Sequence, residues 1–321
     1  MFSVPYNQDI NVIEVYKKYK DIISEVYFPS SPMVIHNSRK IEWDEESEAN
    51  NIKLLEFLNE NNIESEMIMN SICDSRIFEK ESLTSIINYL YQYSKLGLKR
   101  VSVSNPILFK AIVDNIPDLK PCLSILSNLT NINQIKQYYD YGAVEVCLHP
   151  YLSRDKDLIL KMKEIMPGLK IKMMANCFCT SDCIAFTHHH IEVGNANYYS
   201  DQQYFDYVCV QDKANPLKKN FILPNEVDYY DYIDIFKISG RQLPTADLEF
   251  ILDKYLNKKN YGYNLIKLLD GPRRNKLINI SYMYDVRNLD QISNCKYKCL
   301  ENNCNYCDTI LDKYFYFEGN E

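Results

Sequence analysis

Glycine is scarce in this chain, with 8 residues among 321, and neither GxGxxG nor GxxxxGK followed by Ser or Thr occurs. Chemistry built on a glycine-rich phosphate cradle is therefore excluded as the basis of function. Positive charge is not in excess: Lys plus Arg number 36 against 43 Asp plus Glu, a net charge of −7. A protein that grips nucleic acid over its whole surface needs many cations on one face. Only local basic patches remain, at Lys213, Lys218 and Lys219 and at Arg273, Arg274 and Lys276. No run approaches the ~18 apolar residues that cross a bilayer. The segment Met1-Phe2-Ser3-Val4-Pro5-Tyr6-Asn7 lacks the basic and then apolar order of a secretion signal. The expectation is a cytoplasmic protein with no membrane association. No Ser-His-Asp or HExxH constellation is visible, so hydrolytic chemistry of those two kinds finds no support.

What is present is an ordinary globular balance, 46% apolar and 25% charged residues, enough to bury a large core. Cysteine stands out at 11 residues. In a reducing compartment that odd number points to thiols or metal ligands rather than a disulfide framework.

Short β-rich runs alternate with amphipathic stretches of helical length, the pattern of βα units on a parallel sheet. The predicted strands are 2–6, 25–28, 66–70, 100–104, 122–126, 144–149, 170–174 and 233–238. Between them, apolar residues at three and four spacing predict helices over 10–19, 51–58, 83–93, 106–113 and 158–165. Eight strands with interleaved helices favour closure into a (β/α)8 TIM-like barrel, an open doubly wound sheet being the alternative. The barrel reading predicts two units, 1–269 for the barrel and 270–321 for a Cys-rich C-terminal extension. Closure brings the strand ends to one mouth. There Asn7, Asn70, Asn105, Asn128, His149, Asn176, Lys237 and Arg241 collect; Asn70, Asn105, His149 and Asn176 are the candidates for substrate binding. The connection after strand 7, from Asn176 to about Tyr230, far exceeds a usual βα loop and marks a functional or disordered segment.

That connection opens with Asn176-Cys177-Phe178-Cys179-Thr180-Ser181-Asp182-Cys183, followed by His188-His189-His190 and, further on, Cys209. Thiolates bind soft metals, and an irregular loop after a strand can wrap a cluster without breaking the sheet. The histidines are read as ligands, proton donors or surface polarity, with His188 and His189 as the catalytic candidates. A second group, Cys295, Cys299, Cys304 and Cys307, places four thiols within thirteen residues and closes on CxxC. It suits a four-thiolate site for iron–sulfur or zinc. Radical-SAM spacing is absent from both groups. Cys73, Cys122 and Cys147 lie among Ile, Leu and Val and read as core thiols.

In this order along the chain, several motifs resemble the U32 peptidase family, the collagenase-like proteases, and especially its uncharacterised bacterial branch. They are Asn176 with Cys179, Cys183 and the histidines behind them; Phe221-Ile222-Leu223-Pro224-Asn225-Glu226; Phe236-Lys237-Ile238-Ser239-Gly240-Arg241; Tyr261-Gly262-Tyr263-Asn264-Leu265; and the Cys-rich run ending Cys304-Asn305-Tyr306-Cys307. The likeness is best from about Val144 onward. The resemblance implies a TIM-barrel-like domain with a cysteine-bound 4Fe–4S cluster. It also implies relatives that hydroxylate RNA bases, or act in ubiquinone synthesis, without dioxygen. Carried onto this chain, it makes Cys179 and Cys183 cluster ligands, Cys209 a third, and Cys177 or a tail cysteine the fourth. Lys237 and Arg241 match the basic pair at the mouth. The glycine-rich, two-cysteine segment of the named peptidases is missing.

Three functions follow. The first is an iron–sulfur enzyme acting on a small-molecule, peptide or RNA substrate at the mouth, with oxygen-independent hydroxylation as the candidate reaction. The second is a peptidase or peptide-processing protein. The third is a non-catalytic metal-binding subunit with a protein partner.

Overall fold

In the computed structural model the β-rich segments form β1 (Phe2–Pro5), β2 (Ile23–Pro29), β3 (Glu64–Met69), β4 (Arg100–Val103), β5 (Lys120–Leu123), β6 (Glu145–Cys147), β7 (Lys170–Met174) and β8 (Ile235–Lys237). Each strand pairs in parallel with the next, and β8 pairs with β1 through Phe2↔Phe236 and Ser3↔Lys237, which closes an eight-stranded barrel. The structure describes residues 1–39, 41–177, 179, 183–194, 221–258, 263, 265–269, 280–282, 295, 299 and 302–317. Cys209 and both basic patches named above lie outside the described residues.

The crossovers are α1 (Val12–Tyr19), α2 (Glu45–Glu60), α3 (Lys80–Lys95), α4 (Pro106–Asn115), α5 (Ile132–Asp140) and α6 (Lys156–Ile165), with α7 (Phe186–Gly194) and α8 (Thr245–Asn257) flanking β8 in sequence. Their starts are fixed by polar side chains that satisfy the otherwise unpaired amides of a first turn. Asp44 and Ser47 form a reciprocal capping box on α2, and Asn105 accepts from Ile107 and Leu108 with Pro106 opening α4. Asn131 and Asp155 do the same for α5 and α6. Gly97 stands at φ +100, where a Cβ would come within 2.3 Å of Asn59 Nδ2, so the tight entry to β4 requires glycine.

The core lies between strands and helices. Val4, Val26, Val101, Val146, Ile171 and Met173 are completely or almost completely buried there, as the alternation of a strand places every second residue on the helix side. The residues between them face the barrel axis, and many are polar.

The sequence expectation differs from the structure in several places. Residues 125–127 leave the predicted fifth strand as a 3₁₀ turn, because Ser124 caps Leu126 and Asn128 adopts a left-handed conformation at φ 52. The regions 132–140 and 245–257, not predicted as helical, form α5 and α8. The long connection contains α7 and a 3₁₀ segment, Pro224–Tyr230, so the histidine run sits on a helix. Cys73 is exposed rather than a core thiol, because β3 ends at Met69 and the chain turns outward before it. In the tail, strand β9 (Ile280–Tyr282) pairs antiparallel with β10 (Phe315–Phe317), and helix α9 (Tyr306–Tyr314) precedes β10. Ile310 is buried in the barrel's core cluster, and Tyr306 and Cys307 pack against it.

Candidate active site at the barrel mouth

The barrel axis carries a buried charge network. Lys172, on β7 and without exposed surface, donates to Glu25 at 2.6 Å, to Glu66 at 3.0 Å and to Glu145. Strands β2 and β3 are not neighbours of β7, so these bonds cross the interior. Ser3 Oγ donates to Glu25 at 2.5 Å, and Arg100 reaches Glu145 at 2.9 Å. Three carboxylates thus face Lys172, Arg100 and Lys237. Such a network is tolerated in a low-dielectric core only when paired and hydrogen-bonded.

Its protonation states are uneven. Burial, then the neighbouring Glu66 charge, pushes Glu25 up to about 8 against the pull of Lys172. Burial acts the same way on Glu66, but the Lys172 and Lys237 ammoniums hold it well below the usual carboxylate range. Lys172 is raised, since Glu145, Glu25 and Glu66 outweigh its desolvation. Burial and Glu145 keep Cys122 a thiol. Glu66, Cys122 and Glu145 bring ligand atoms within 4.8 Å of one another, the one such triad found among the described residues. Lys172 already bonds two of its members, so an ammonium fills the place a cation would take.

Above this layer, toward the strand ends, the chemistry turns to sulfur and imidazole. Cys147, Met174 and Cys177 form a small buried cluster of their own, with Ile125 and Cys179 packed against it. The Cys179 amide donates to Cys177 Sγ at 3.4 Å, and Cys179 Sγ lies 3.9 Å from His190 Nε2. The Cys177 thiol, then His190 and the Arg39 charge, hold Cys179 well below the usual thiol range despite burial. Cys147, by contrast, is pushed up to about 11 by burial. Phe186 stands edge-on to both His149 and His190, at 4.8 and 5.0 Å between centroids. Burial lowers His149 to about 4, so its ring is neutral.

The residues singled out from sequence fall into different roles. Lys237 sits at the floor of the mouth, 3.4 Å from Glu66 and 3.9 Å from the Tyr27 ring centroid. Arg241 reaches Ser38 on the loop after β2 at 3.2 Å. Asn70 accepts from the Ser38 amide and donates to Ser124, linking three strand ends. Asn105 is the α4 cap. Asn176 donates to the carbonyls of Ser239 and Leu268 and accepts from the amide and hydroxyl of Ser239, which uses the whole capacity of its amide to join β7, β8 and the 265–268 turn. His188 is exposed on α7, whereas His189 is buried and stacks on His190. Cys183 is half-buried ahead of α7. Cys295, Cys299 and Cys307 are half-buried and Cys304 exposed, the Cys304 amide bonding the Cys299 carbonyl at 2.9 Å.

Sequence reasoning named His190 within its run but preferred His188 and His189, and it missed Cys147 as a mouth thiol and the whole axial network. The signal for the network was there: a charge beside apolar residues inside a strand, as in Ser24-Glu25-Val26, Glu66-Met67, Val144-Glu145-Val146 and Ile171-Lys172-Met173.

No protein-family profile matches the chain. It is 26% identical over 274 residues to the uncharacterized protease MJ1657 of Methanocaldococcus jannaschii, covering 81% of this chain and 80% of that one. The solved structure of the U32 peptidase Mk0906 superposes with a TM-score of 0.52 at 10% identity, over 75% of this chain and 94% of the other, a likeness of fold. The resemblance carried by the motifs is thus matched twice, in sequence by a relative named as a protease and in fold by the (β/α)8 barrel of a U32 peptidase. Among the described residues no helix is long and apolar enough to cross a membrane.

Proposed function

We propose that this chain is a metal–thiolate enzyme that modifies a substrate at the barrel mouth, with a 4Fe–4S cluster held by Cys179, Cys183 and Cys209 and a fourth thiol from Cys177 or the tail. The observation that carries this reading is the meeting of Cys177 and Cys179 just past the end of β7, where Cys179 Sγ lies 3.9 Å from His190 Nε2 and the Cys177 thiol and His190 lower the Cys179 thiol below its ordinary range. A deprotonated sulfur is what a soft metal requires. The donor set fits a cluster better than a single ion. In a cluster each thiolate binds a different iron, so the ligands stand further apart than those around one metal. The triad compact enough for one ion lies elsewhere, around Lys172.

A cluster at this place supplies electrons, or a seat for an oxygen-containing donor. The chain's own residues do the rest. Lys237 at the end of β8 and Arg241 on the loop that follows neutralise an anionic group of the substrate, and the buried Phe186 and Met174 exclude water around the thiols. The reaction we assign is hydroxylation with an oxygen atom from a donor other than dioxygen, on an RNA base or a small molecule. Cys295, Cys299, Cys304 and Cys307 form a second metal site in this reading, for zinc or iron–sulfur. The test is anaerobic purification followed by iron, sulfide and visible-absorption measurements. Iron and sulfide that fall in Cys179→Ala and Cys183→Ala support the reading; their absence from the native chain overturns it.

One observation favours a second reading, peptide hydrolysis: the lowered Cys179 thiol and His190 have the form of a nucleophile and base, and the sequence relative carries the name protease. Mass spectrometry on a peptide mixture separates the two, since hydrolysis splits a chain with gain of water whereas hydroxylation adds one oxygen.

A further inference from the structure

Helix α7 touches the barrel rim at both of its ends. Its first residue, Phe186, stands edge-on to His149 just past β6, and Thr187 Oγ1 accepts from Asn128 Nδ2, past β5, at 3.4 Å. One turn on, His190 Nε2 lies 3.9 Å from Cys179 Sγ, past β7. At the far end Gly194 rests on the backbone of Asn37 and Ser38, where a Cβ would come within 3.0 Å of the Asn37 carbonyl oxygen. Asn37 belongs to the β2 side of the rim, since its side-chain amide donates at 2.9 Å to the carbonyl of Ser30, the residue after that strand.

In the closed ring of eight, β2 and β6 stand four places apart, on opposite sides. From Phe186 to Gly194 the helix runs about 12 Å at 1.5 Å per residue. A straight rod of that length touching both sides has to pass over the mouth rather than around it. Phe186, His190 and Gly194, spaced by four, form the row that looks down on the rim, and His189 beside them is buried too. His188 is exposed on the other side of the helix. Cys147 at the end of β6 and Cys177 just past β7 are buried on the barrel side of that row.

We infer that α7 is a lid, closed as it stands, and that substrate reaches the thiols only when the helix lifts off the loop after β2. The inference rests on reading the mouth as the active site and adds how that site is reached. Gly194 is the latch, because only a residue without a side chain settles this close to the Asn37 carbonyl. Nine residues are too few to sustain a helix alone, so α7 keeps its form through what it rests on. Covers of active sites are drawn from such locally unstable elements, which open without unfolding the rest.

The test is iodoacetamide labelling at pH 8.5 of the full-length chain as purified anaerobically. Peptide mapping reads Cys147, under the lid, and Cys122, buried deeper on β5. Each thiol is compared with itself between chains, so the difference in their acidities drops out. Gly194→Val presses a branched side chain on Asn37, and Phe186→Ala removes the contact with His149. Each should speed labelling of Cys147 at least tenfold and leave Cys122 within twofold of the native chain. An unchanged Cys147 in Gly194→Val overturns the lid, and so does a Cys122 that speeds in step with Cys147, since the whole barrel has then loosened. Iron is measured in the same samples. Selective opening in a chain that never holds iron refutes the proposed enzyme and leaves the lid standing, and iron without selective opening does the reverse.

Discussion

Replacing Glu25 by Gln should change how stability depends on pH. In the folded chain Glu25 titrates near 8, against 4.5 for a free glutamate, because burial and Glu66 oppose its ionisation. Between those two values the unfolded chain has released a proton that the folded chain still holds. Stability must then fall as pH rises, by about 1.4 kcal/mol per pH unit for one proton. Across the window the loss is of the order of 4 kcal/mol. Gln keeps an oxygen to accept from Ser3 and Lys172 but has nothing to ionise. Native and Glu25→Gln chains should therefore be nearly equal at pH 5, and the variant should be progressively more stable toward pH 8. Glu66 does not confuse the comparison, since its folded value is lowered and its contribution is lost only as pH falls below 4.5. Urea unfolding of both chains at half-unit steps from pH 5 to 8.5, with thiols kept reduced, reads the difference directly. A constant offset across the window would refute the assignment of a held proton to Glu25.

Lys172→Ala should destabilise the fold by about 3–5 kcal/mol, because three buried carboxylates lose their common cation. Added Mn²⁺ or Zn²⁺ should recover part of that loss in thermal melts, since Glu66, Cys122 and Glu145 remain within ligand distance of one another. Asn176→Ala should cost about 1–3 kcal/mol in urea unfolding by leaving the buried groups of Ser239 and Leu268 unpaired. In metal-free chain at pH 6.5, iodoacetamide should label Cys179 well before Cys122, as peptide mapping would show, because the Cys177 thiol and His190 lower the one thiol while burial raises the other.

The barrel was legible because its signals are local. Strand and helix periods differ, and the eight β-rich runs needed no long-range information to be counted. Strand ends were less clear, as at Leu126, where a serine cap and a left-handed asparagine decide the boundary. The thiols of 177–183 were visible from spacing, whereas Cys147 joins them only through the pairing of β6 with β7. Asn176 shows the converse: its position after a strand suggested substrate contact, but its amide is consumed by Ser239, just past β8, and by the carbonyl of Leu268. The axial charges were hidden for another reason. Each is a charged residue among apolar neighbours on its strand, and its meaning comes from partners on strands across the barrel.

The central claim is that metal sits on the thiols at the barrel mouth. Anomalous diffraction at the iron edge, from crystals of the native chain grown and frozen anaerobically, tests it most directly. The account predicts an iron peak bonded to Cys179 and Cys183 beside His190. No peak there, or iron confined to Cys295, Cys299, Cys304 and Cys307, would contradict it.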